Sequence, residues 1–308
     1  MPDISVVIPT YNRLDTLRHV VPSLLAQDSA AGEYEVLVCD SLSTDGTAEY
    51  LARVGAEHPN VRHLPAPYTG RAMARNAGID AARGEIVLFN DADIIASPDL
   101  LSRHLRRHRD RSGVAVVGWE VQVRSIADYE EKRDHPELRA HLHPPTRKTL
   151  GWLYFLTGNA SVRRADLLRV GKFDESFTGY GHEDLELGYR LRKAGLTILY
   201  EPRAVSYHCQ DVPHDDQKAK MQLAGRSTVR FYRKHPDVAV RINLGMTPVS
   251  LGLHGVLTRL PGLLGYFEAR AGDSKFARDL VQQYYYVSGI KDALRESRGT
   301  GNEESDGE

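Results

Sequence analysis

ISVVIPTYNR, residues 4–13, opens the chain with a β-branched apolar run that ends in a polar tetrapeptide. Such a run predicts a buried strand. The apolar residues that follow recur at helical spacing, at Leu14, Leu17, Val20, Val21, Leu24 and Leu25. This stretch therefore predicts one strand–helix unit, with polar side chains just after the strand.

The same alternation continues to residue 123. Strands are predicted over 34–39, 61–64, 86–89 and 114–123, and helices over 47–54, 71–82 and from Ser97 onward. Alternation of this kind predicts an α/β fold with a Rossmann-like, mostly parallel central sheet flanked by helices. Because ligands of such sheets bind beyond the carboxyl ends of the strands, the candidate site residues are those that follow a strand: Thr10 to Arg13, Asp40 and Asn90 to Asp93.

Composition excludes some classes of protein. The 308 residues are 41% hydrophobic, and 40 basic residues nearly balance 41 acidic ones, so no nucleic-acid partner is expected. Cys39 and Cys209, the two cysteines, are predicted to be buried thiols in a reducing compartment. No export signal and no apolar run of about 20 residues are visible, which predicts a cytoplasmic protein, with any membrane contact peripheral and at the inner face.

Two acids follow the strand over 86–89. Asp91 and Asp93 would meet at the edge of the sheet, where a hard divalent ion with open coordination positions could bind both and also a diphosphate. Alternatively, the two acids cap the turn into the next helix.

Three further groups have both a structural and a functional interpretation. Glu183 and Asp184 begin a predicted helix after a glycine-rich loop, where they could complement the helix dipole or provide a general base. Arg71 and Arg75 lie on one helical face, as a solvated stripe or as diphosphate ligands. His208, after a strand predicted over 197–200, is a packed histidine or a metal ligand.

Five ordered motifs resemble those of the family 2 inverting glycosyltransferases, which have the GT-A fold. They are residues 4–13, Asp40 with 43–47, Arg75 to Gly78, Asp91-Ala92-Asp93 and Gly181 to Asp184. The resemblance covers residues 4–210, and five motifs in order are far more specific than one.

The resemblance implies roles at matching positions. Pro9, Thr10, Tyr11 and Asp40 would line the nucleobase pocket, while Arg13, Arg71, Arg75, Asn76 and Asp91 would belong to the nucleotide-sugar site. Asp91 and Asp93, with His208, would hold Mn²⁺ or Mg²⁺. Asp184 would be the catalytic base, and Glu183 would bind hydroxyls of the acceptor or the donor sugar.

The implied reaction transfers a sugar, with uridine diphosphate as the expected carrier, to a hydroxyl of a glycan or lipid-linked acceptor. The family commonly has two acids and a glycine where this chain has Asp40-Ser41-Leu42, so the match is weaker there. One rival is a nucleotidyltransferase, which would need a glycine- and lysine-rich loop after the first strand. Another is a non-catalytic domain that binds sugar nucleotides or glycans, which would be expected to lack the base or metal acids.

The domain organisation follows from the same patterns. Residues 1–210 are predicted to form the catalytic domain, with an irregular acceptor loop over about 124–150. Residues 211–298 are predicted to form a helical C-terminal appendage, and 299–308 a disordered tail. The Leu-rich stretch with Arg259 and the Tyr284–Tyr286 cluster could contact a membrane, pack on the catalytic core or form a homodimer.

Overall fold

The computed structural model describes residues 1–28, 30, 32–135, 137–138, 148–209 and 214–299. The chain divides into two compact units. The first comprises Met1–Thr178 and Glu183–Asp211, and the second comprises Gly179–His182 and Val212–Glu308. Of the tail predicted over 299–308, residue 299 is the last of a helix, and residues 300–308 lie outside the described residues.

The first unit begins with the predicted strand–helix alternation. Its elements are β1 (Ile4–Thr10), α1 (Leu14–Leu25), β2 (Tyr34–Asp40), α2 (Thr47–Glu57), β3 (Val61–Pro65), α3 (Arg71–Ala81) and β4 (Ile86–Phe89). β1 pairs in parallel with both β2 and β4, and β2 pairs in parallel with β3. The carboxyl ends of these strands therefore meet at one edge of the sheet.

The second half of the sheet is mixed. It contains β5 (Ile94–Ala96), α4 (Leu100–Asp110), β6 (Val114–Val123), α5 (Ile126–Asp134), β7 (Thr149–Leu150), β8 (Ala160–Arg163), α6 (Arg164–Arg169), α7 (Glu183–Lys193) and β9 (Thr197–Cys209). The strand order is β3-β2-β1-β4-β8-β6-β9-β5, with β7 also on β9. β8 runs antiparallel to β4 and β6, whereas β6 and β9 are parallel. The α/β fold is confirmed, and the predicted parallel character holds for its first half.

Two predicted boundaries were wrong. The irregular loop expected from residue 124 contains the helix α5, although residues 139–147 lie outside the described part of the chain. The strand predicted to end at Tyr200 continues to Cys209, so His208 lies within β9 and not after it. Its pairing with β6 shifts register beyond Val117, which lets β9 accommodate Pro202 and continue.

Alternate residues of the central strands pack into two hydrophobic clusters, one on each face. Val6 and Ile8 belong to one cluster, and Val7 belongs to the other, as the two-residue period of a strand requires. Helix α3 approaches the second face closely at Gly78, where an added Cβ would lie 3.1 Å from Cys39 Sγ.

Burial raises the pKa of the Cys39 thiol to about 12. Cys39 is therefore a buried thiol as predicted, whereas Cys209 is only half-buried.

Two buried histidines of α4 join that helix to the sheet. Asn159 donates both amide hydrogens to β9, so its Oδ1 accepts from His104 Nε2 at 2.8 Å. His104 Nδ1 then accepts from the Ser161 hydroxyl, which accepts in turn from His108 Nε2, both at 2.8 Å. Because Nδ1 of His104 accepts, that imidazole is neutral, whereas His108 is kept neutral by burial, with no hydrogen-bond partner for its Nδ1.

The neutral histidines predict a loss of stability in mild acid. Burial lowers the pKa of His104 to about 4 and that of His108 to about 3. The unfolded chain takes up protons near pH 6.5 and the folded chain does not, so stability falls as pH drops from 6.5 towards 4. Each histidine contributes a slope approaching about 1.4 kcal/mol per pH unit.

We expect His104→Gln to reduce this slope, measured as the urea-derived free energy of unfolding between pH 6.5 and 4.5. His58→Gln is the matched control, because His58 is exposed and should leave the slope unchanged. Equal slopes for wild type and His104→Gln would contradict the prediction.

The second unit is helical. It consists of α8 (His214–Lys234), α9 (Val238–Asn243), α10 (Pro248–Arg259), α11 (Pro261–Glu268) and α12 (Lys275–Gly299). His182 belongs to this unit and lies 2.7 Å from the Thr228 hydroxyl. None of the helices in the described residues is both long and apolar enough to cross a membrane.

Candidate active site

The loops after β1 and β2 are tied together by hydrogen bonds. Ser43 donates from its backbone nitrogen and its hydroxyl to Asp40 Oδ1, at 3.0 and 2.6 Å. The Ser43 hydroxyl also accepts from the Asn12 backbone nitrogen, and Asn12 Oδ1 accepts from the Thr44 backbone nitrogen. Asp40 is thereby held rigidly at the carboxyl end of β2.

His63, which the sequence analysis did not single out, completes this corner. Its Nε2 lies 3.1 Å from Asp40 Oδ2, so both oxygens of that buried carboxylate have partners. Of the other residues predicted for the nucleobase pocket, Pro9 and Thr10 end β1 and Tyr11 is 59% exposed. The Thr10 hydroxyl is buried without a hydrogen-bond partner. The structure thus brings Asp40 and the end of β1 to one corner of the sheet edge.

A buried guanidinium joins two of the predicted acids. Arg75 is 1% exposed, and its Nη2 lies 2.7 Å from Asp91 Oδ1 while its Nη1 lies 3.2 Å from Glu183 Oε1. Its guanidinium also stacks over the Phe173 ring, 5.5 Å from the ring centre. Arg75 therefore organises Asp91 and Glu183.

The neighbouring residues of α3 have different positions. Arg71 Nε lies 3.2 Å from Glu183 Oε1, and 43% of its side chain is exposed, so it can still reach a ligand. Asn76 is buried, and its amide bonds the Phe173 backbone and the Glu175 carboxylate. The polar atoms of Asn76 therefore anchor the loop at 173–175.

Hydrogen bonds of Asn90 and of the Asp93 backbone fix the turn between β4 and β5. Asn90 Nδ2 donates to the backbone oxygens of Asp91 and Ile94, each at 2.9 Å. The Asp93 backbone oxygen accepts from the Cys209 nitrogen at 2.8 Å. These bonds hold the two acids of the turn, Asp91 and Asp93, at the edge of the sheet.

Asp93 and His208 form a pair across β5 and β9. Asp93 Oδ1 and His208 Nε2 are 3.6 Å apart, an ion-pair distance. Burial acts to raise the pKa of Asp93, but His208 and Arg13 outweigh it, and the net shift is downward. For His208, burial acts to lower the pKa, and Asp93, Glu120 and Asp91 raise it overall. Of the acids that follow β4, Asp93 is thus the one paired with His208.

Glu120 of β6 is a site residue that the sequence analysis missed. Its Oε2 lies 3.9 Å from His208 Nδ1, on the side of the ring opposite Asp93. Burial raises the pKa of Glu120 to about 7, and the carboxylates of Asp91, Asp184 and Asp93 act in the same direction. All three predicted acids therefore lie within electrostatic range of one side chain.

Asp184 is the second residue of α7 and lies within electrostatic range of Glu120. Its Oδ1 accepts from the Leu185 backbone nitrogen at 2.8 Å. Burial, and then the neighbouring Glu183 carboxylate, raise the pKa of Asp184 to about 6, although Arg75 and Arg71 oppose the shift. Glu183 has the opposite shift, because Arg71 and Arg75 outweigh its burial and lower its pKa. The environment thus separates the two adjacent acids into an ion-paired one and a potential base.

The donor atoms fit a divalent cation in part. Asp93 and His208 offer a hard oxygen and an imidazole nitrogen, a combination suited to manganese. Asp91 is held by Arg75, and among the described residues no three metal-binding side chains already surround one point. A cation at Asp93 and His208 would therefore need further ligands, and a diphosphate and water could provide them.

Comparison with known sequences places this geometry in context. The profile described as "Glycosyl transferase family 2" matches residues 5–171, more than half of the chain. A second profile, described as "N-terminal domain of galactosyltransferase", matches residues 140–214.

Two relatives are similar over most of the chain. The validoxylamine A glucosyltransferase of Streptomyces hygroscopicus subsp. jinggangensis is 31% identical over 271 residues, which cover 77% of this chain and 62% of that protein. The uncharacterized glycosyltransferase YfnE of Bacillus subtilis is 30% identical, covering 66% of this chain and 64% of that protein. The chain spans about three fifths of the length of these curated relatives.

Solved structures share the fold. The mannosyltransferase PcManGT of Pyrobaculum calidifontis, in complex with GDP-Man and Mn²⁺, aligns over 95% of this chain and 87% of its own with a TM-score of 0.65 and 22% identity. TarS 1-349 of S. aureus in complex with UDP aligns over 97% and 92% with a TM-score of 0.56 and 18% identity.

Proposed function

The chain belongs to glycosyltransferase family 2, and from this membership we propose that it transfers a sugar from a nucleoside diphosphate to a hydroxyl of a glycan or lipid-linked acceptor. The observation that carries the proposal is the position of Asp184 on α7, directly after Glu183, which Arg75 joins to Asp91; the raised pKa of Asp184 suits a base.

The proposed reaction is a single displacement. The Asp184 carboxylate takes the proton of the acceptor hydroxyl as that oxygen forms a bond to the anomeric carbon. The bond from the anomeric carbon to the diphosphate oxygen breaks at the same time, so the configuration inverts. Arg75 holds Asp91 and Glu183 in place, and Arg71 is exposed enough to meet the diphosphate.

Manganese is the proposed cofactor, with magnesium as the alternative. Asp93 and His208 would hold it, and when bound it would neutralise charge on the departing diphosphate. We propose that the nucleoside of the donor is uridine, with its nucleobase next to Asp40 and the end of β1. The similar structures hold UDP in one case and GDP-Man in the other, so donors with either nucleotide must be tested.

The deciding experiment measures nucleoside diphosphate release from a panel of UDP- and GDP-sugars, with and without Mn²⁺. We expect release from one donor class, stimulated by Mn²⁺ and by a suitable acceptor. The anomeric configuration of the product, read by NMR, tests inversion. No release from any donor, with binding of sugar nucleotide intact, would favour a non-catalytic binding domain.

We also propose that α10 and α11 contact an anionic lipid surface. Helix α11 has no buried side chain, and its Leu263 and Tyr266 are 40% and 50% exposed. Helix α10 exposes Val249 and Val256, at 80% and 51%. Arg259 follows in the same stretch and is also exposed. Apolar side chains bordered by a basic residue are typical of helices that lie in a membrane interface.

Val256→Glu is expected to weaken binding to anionic vesicles by at least about tenfold, because it places a charge where an apolar side chain would be buried. Leu168→Glu is the control, because Leu168 is an exposed apolar residue, 42% exposed, on α6 of the first unit. Co-sedimentation with vesicles measures the effect, and size-exclusion chromatography runs alongside. Unchanged sedimentation with a loss of dimer would instead assign the face to a second copy of the chain.

A further inference from the structure

Glu120 and Gln122 flank the imidazole of His208 from the neighbouring strand. Gln122 is directly opposite His208 in the parallel pairing of β6 with β9, and Glu120 is two residues earlier on the same face. Gln122 Nε2 lies 3.4 Å and Glu120 Oε2 lies 3.9 Å from the same ring atom, Nδ1. The other ring nitrogen, Nε2, is turned to Asp93.

These positions impose different tautomers on His208. In the orientation observed, Gln122 presents its amide NH₂ group, a donor, and so favours an Nδ1 without a proton. To give the Nε2 lone pair to a cation at Asp93, the neutral ring must carry its proton on Nδ1. An Nδ1–H then needs an acceptor, and the Glu120 carboxylate offers only acceptors.

The surrounding backbone leaves room for the Glu120 carboxylate. An added Cβ at Gly158 would lie 2.6 Å from Glu120 Oε1 and 2.5 Å from Ile94 Cδ1. A larger residue at position 158 would therefore displace the carboxylate from its place beside the imidazole. The glycine before β8 and the acid on β6 form one local arrangement.

We propose that Glu120 is a positioning residue for His208. Its carboxylate accepts a hydrogen bond from Nδ1–H and so directs Nε2 to a cation held with Asp93. Carboxylates that accept from a metal-bound histidine fix both the tautomer and the orientation of its ring. The inference rests on the metal dependence in the proposed function and adds Glu120 to it. Gln122 favours the other tautomer, that of the metal-free site.

The test measures the dissociation constant of Mn²⁺ in the presence of saturating UDP or GDP, from the EPR signal of free Mn²⁺. Loss of such a carboxylate typically weakens metal binding by about 10- to 100-fold, and we expect this for Glu120→Ala. Glu120→Gln, which keeps an acceptor oxygen, should bind more tightly than Glu120→Ala. Gln122→Ala, on the same strand and face, should bind Mn²⁺ at least as tightly as wild type, because it removes only the contact that favours the metal-free tautomer.

A double-mutant cycle with His208→Ala separates positioning from simple charge loss or local damage. If Glu120 acts through the imidazole, Glu120→Ala will have little further effect once His208 is gone. An equal loss in both backgrounds would overturn the proposal, as would Mn²⁺ affinity of Glu120→Ala within twofold of wild type.

The same measurements distinguish failure of the role proposed for Glu120 from failure of the proposed function. If wild type binds no Mn²⁺, the metal dependence fails and the role of Glu120 fails with it. If wild type binds Mn²⁺ and the cycle is additive, only the role of Glu120 fails. Release of nucleoside diphosphate tests glycosyl transfer independently of both.

Discussion

Replacing Asp184 by asparagine is expected to lower the turnover number by about 10²- to 10⁴-fold, the usual contribution of a positioned general base. Asparagine has nearly the same shape and keeps an oxygen that can accept from the Leu185 nitrogen, as Asp184 Oδ1 does at 2.8 Å. The start of α7 should therefore remain intact. Affinity for the donor nucleotide should stay within about twofold, because the proposed role of Asp184 is to take a proton from the acceptor and not to bind the nucleotide.

The pH dependence of turnover gives a second test of Asp184. Burial and Glu183 raise the pKa of Asp184 to about 6, and a base acts only when it is deprotonated. Turnover of wild type should therefore rise with pH through about 6 and level off above it. At saturating Mn²⁺ this rise should be lost in Asp184→Asn, because the variant has no carboxyl group at position 184 to titrate.

Asp80→Asn is the matched control, since Asp80 is an exposed acid of the same unit that pairs with Lys172. It should leave both turnover and the pH profile unchanged. Full turnover in Asp184→Asn would remove Asp184 from the mechanism, and Glu120 would be the next acid to test.

Local patterns in the sequence were enough to predict most elements of the first unit. β1, β4 and β6 are apolar runs, and α1 has an apolar face, so two kinds of periodicity distinguish them. Helix α5 was missed because it buries no side chain and so has no apolar period. Its one local signal is Ser125, whose hydroxyl accepts from the Asp128 nitrogen as an N-cap.

The sequence identified candidate site residues one by one but not the pairings between them. The motifs identify Asp91, Asp93 and Asp184, yet Arg75 reaches Glu183 across 108 positions of sequence, a contact that only the fold creates. Glu120 was missed because it lies inside a predicted strand. A charged residue in the largely apolar run VAVVGWEVQV was the available signal, and the bulge near Gly118 could not be foreseen.

Asp93→Ala should abolish the part of nucleotide binding that depends on manganese. Burial acts to raise the pKa of Asp93, but His208 and Arg13 keep the net shift downward, so this carboxylate is charged at neutral pH. Of the two acids that follow β4, it is the one paired with His208, since Asp91 is held by Arg75. Without Asp93, His208 would be left as the only predicted protein ligand of this pair, too few to fix a hard cation.

Isothermal titration with UDP or GDP, with and without Mn²⁺, measures the effect. Wild type should bind nucleotide more tightly with Mn²⁺, and Asp93→Ala should bind equally with and without it. Asp80→Ala should keep the wild-type difference, because that exposed acid is paired with Lys172. If Asp93→Ala still gains full affinity from Mn²⁺, the cation binds elsewhere, and Asp91 would then have to leave Arg75 to hold it.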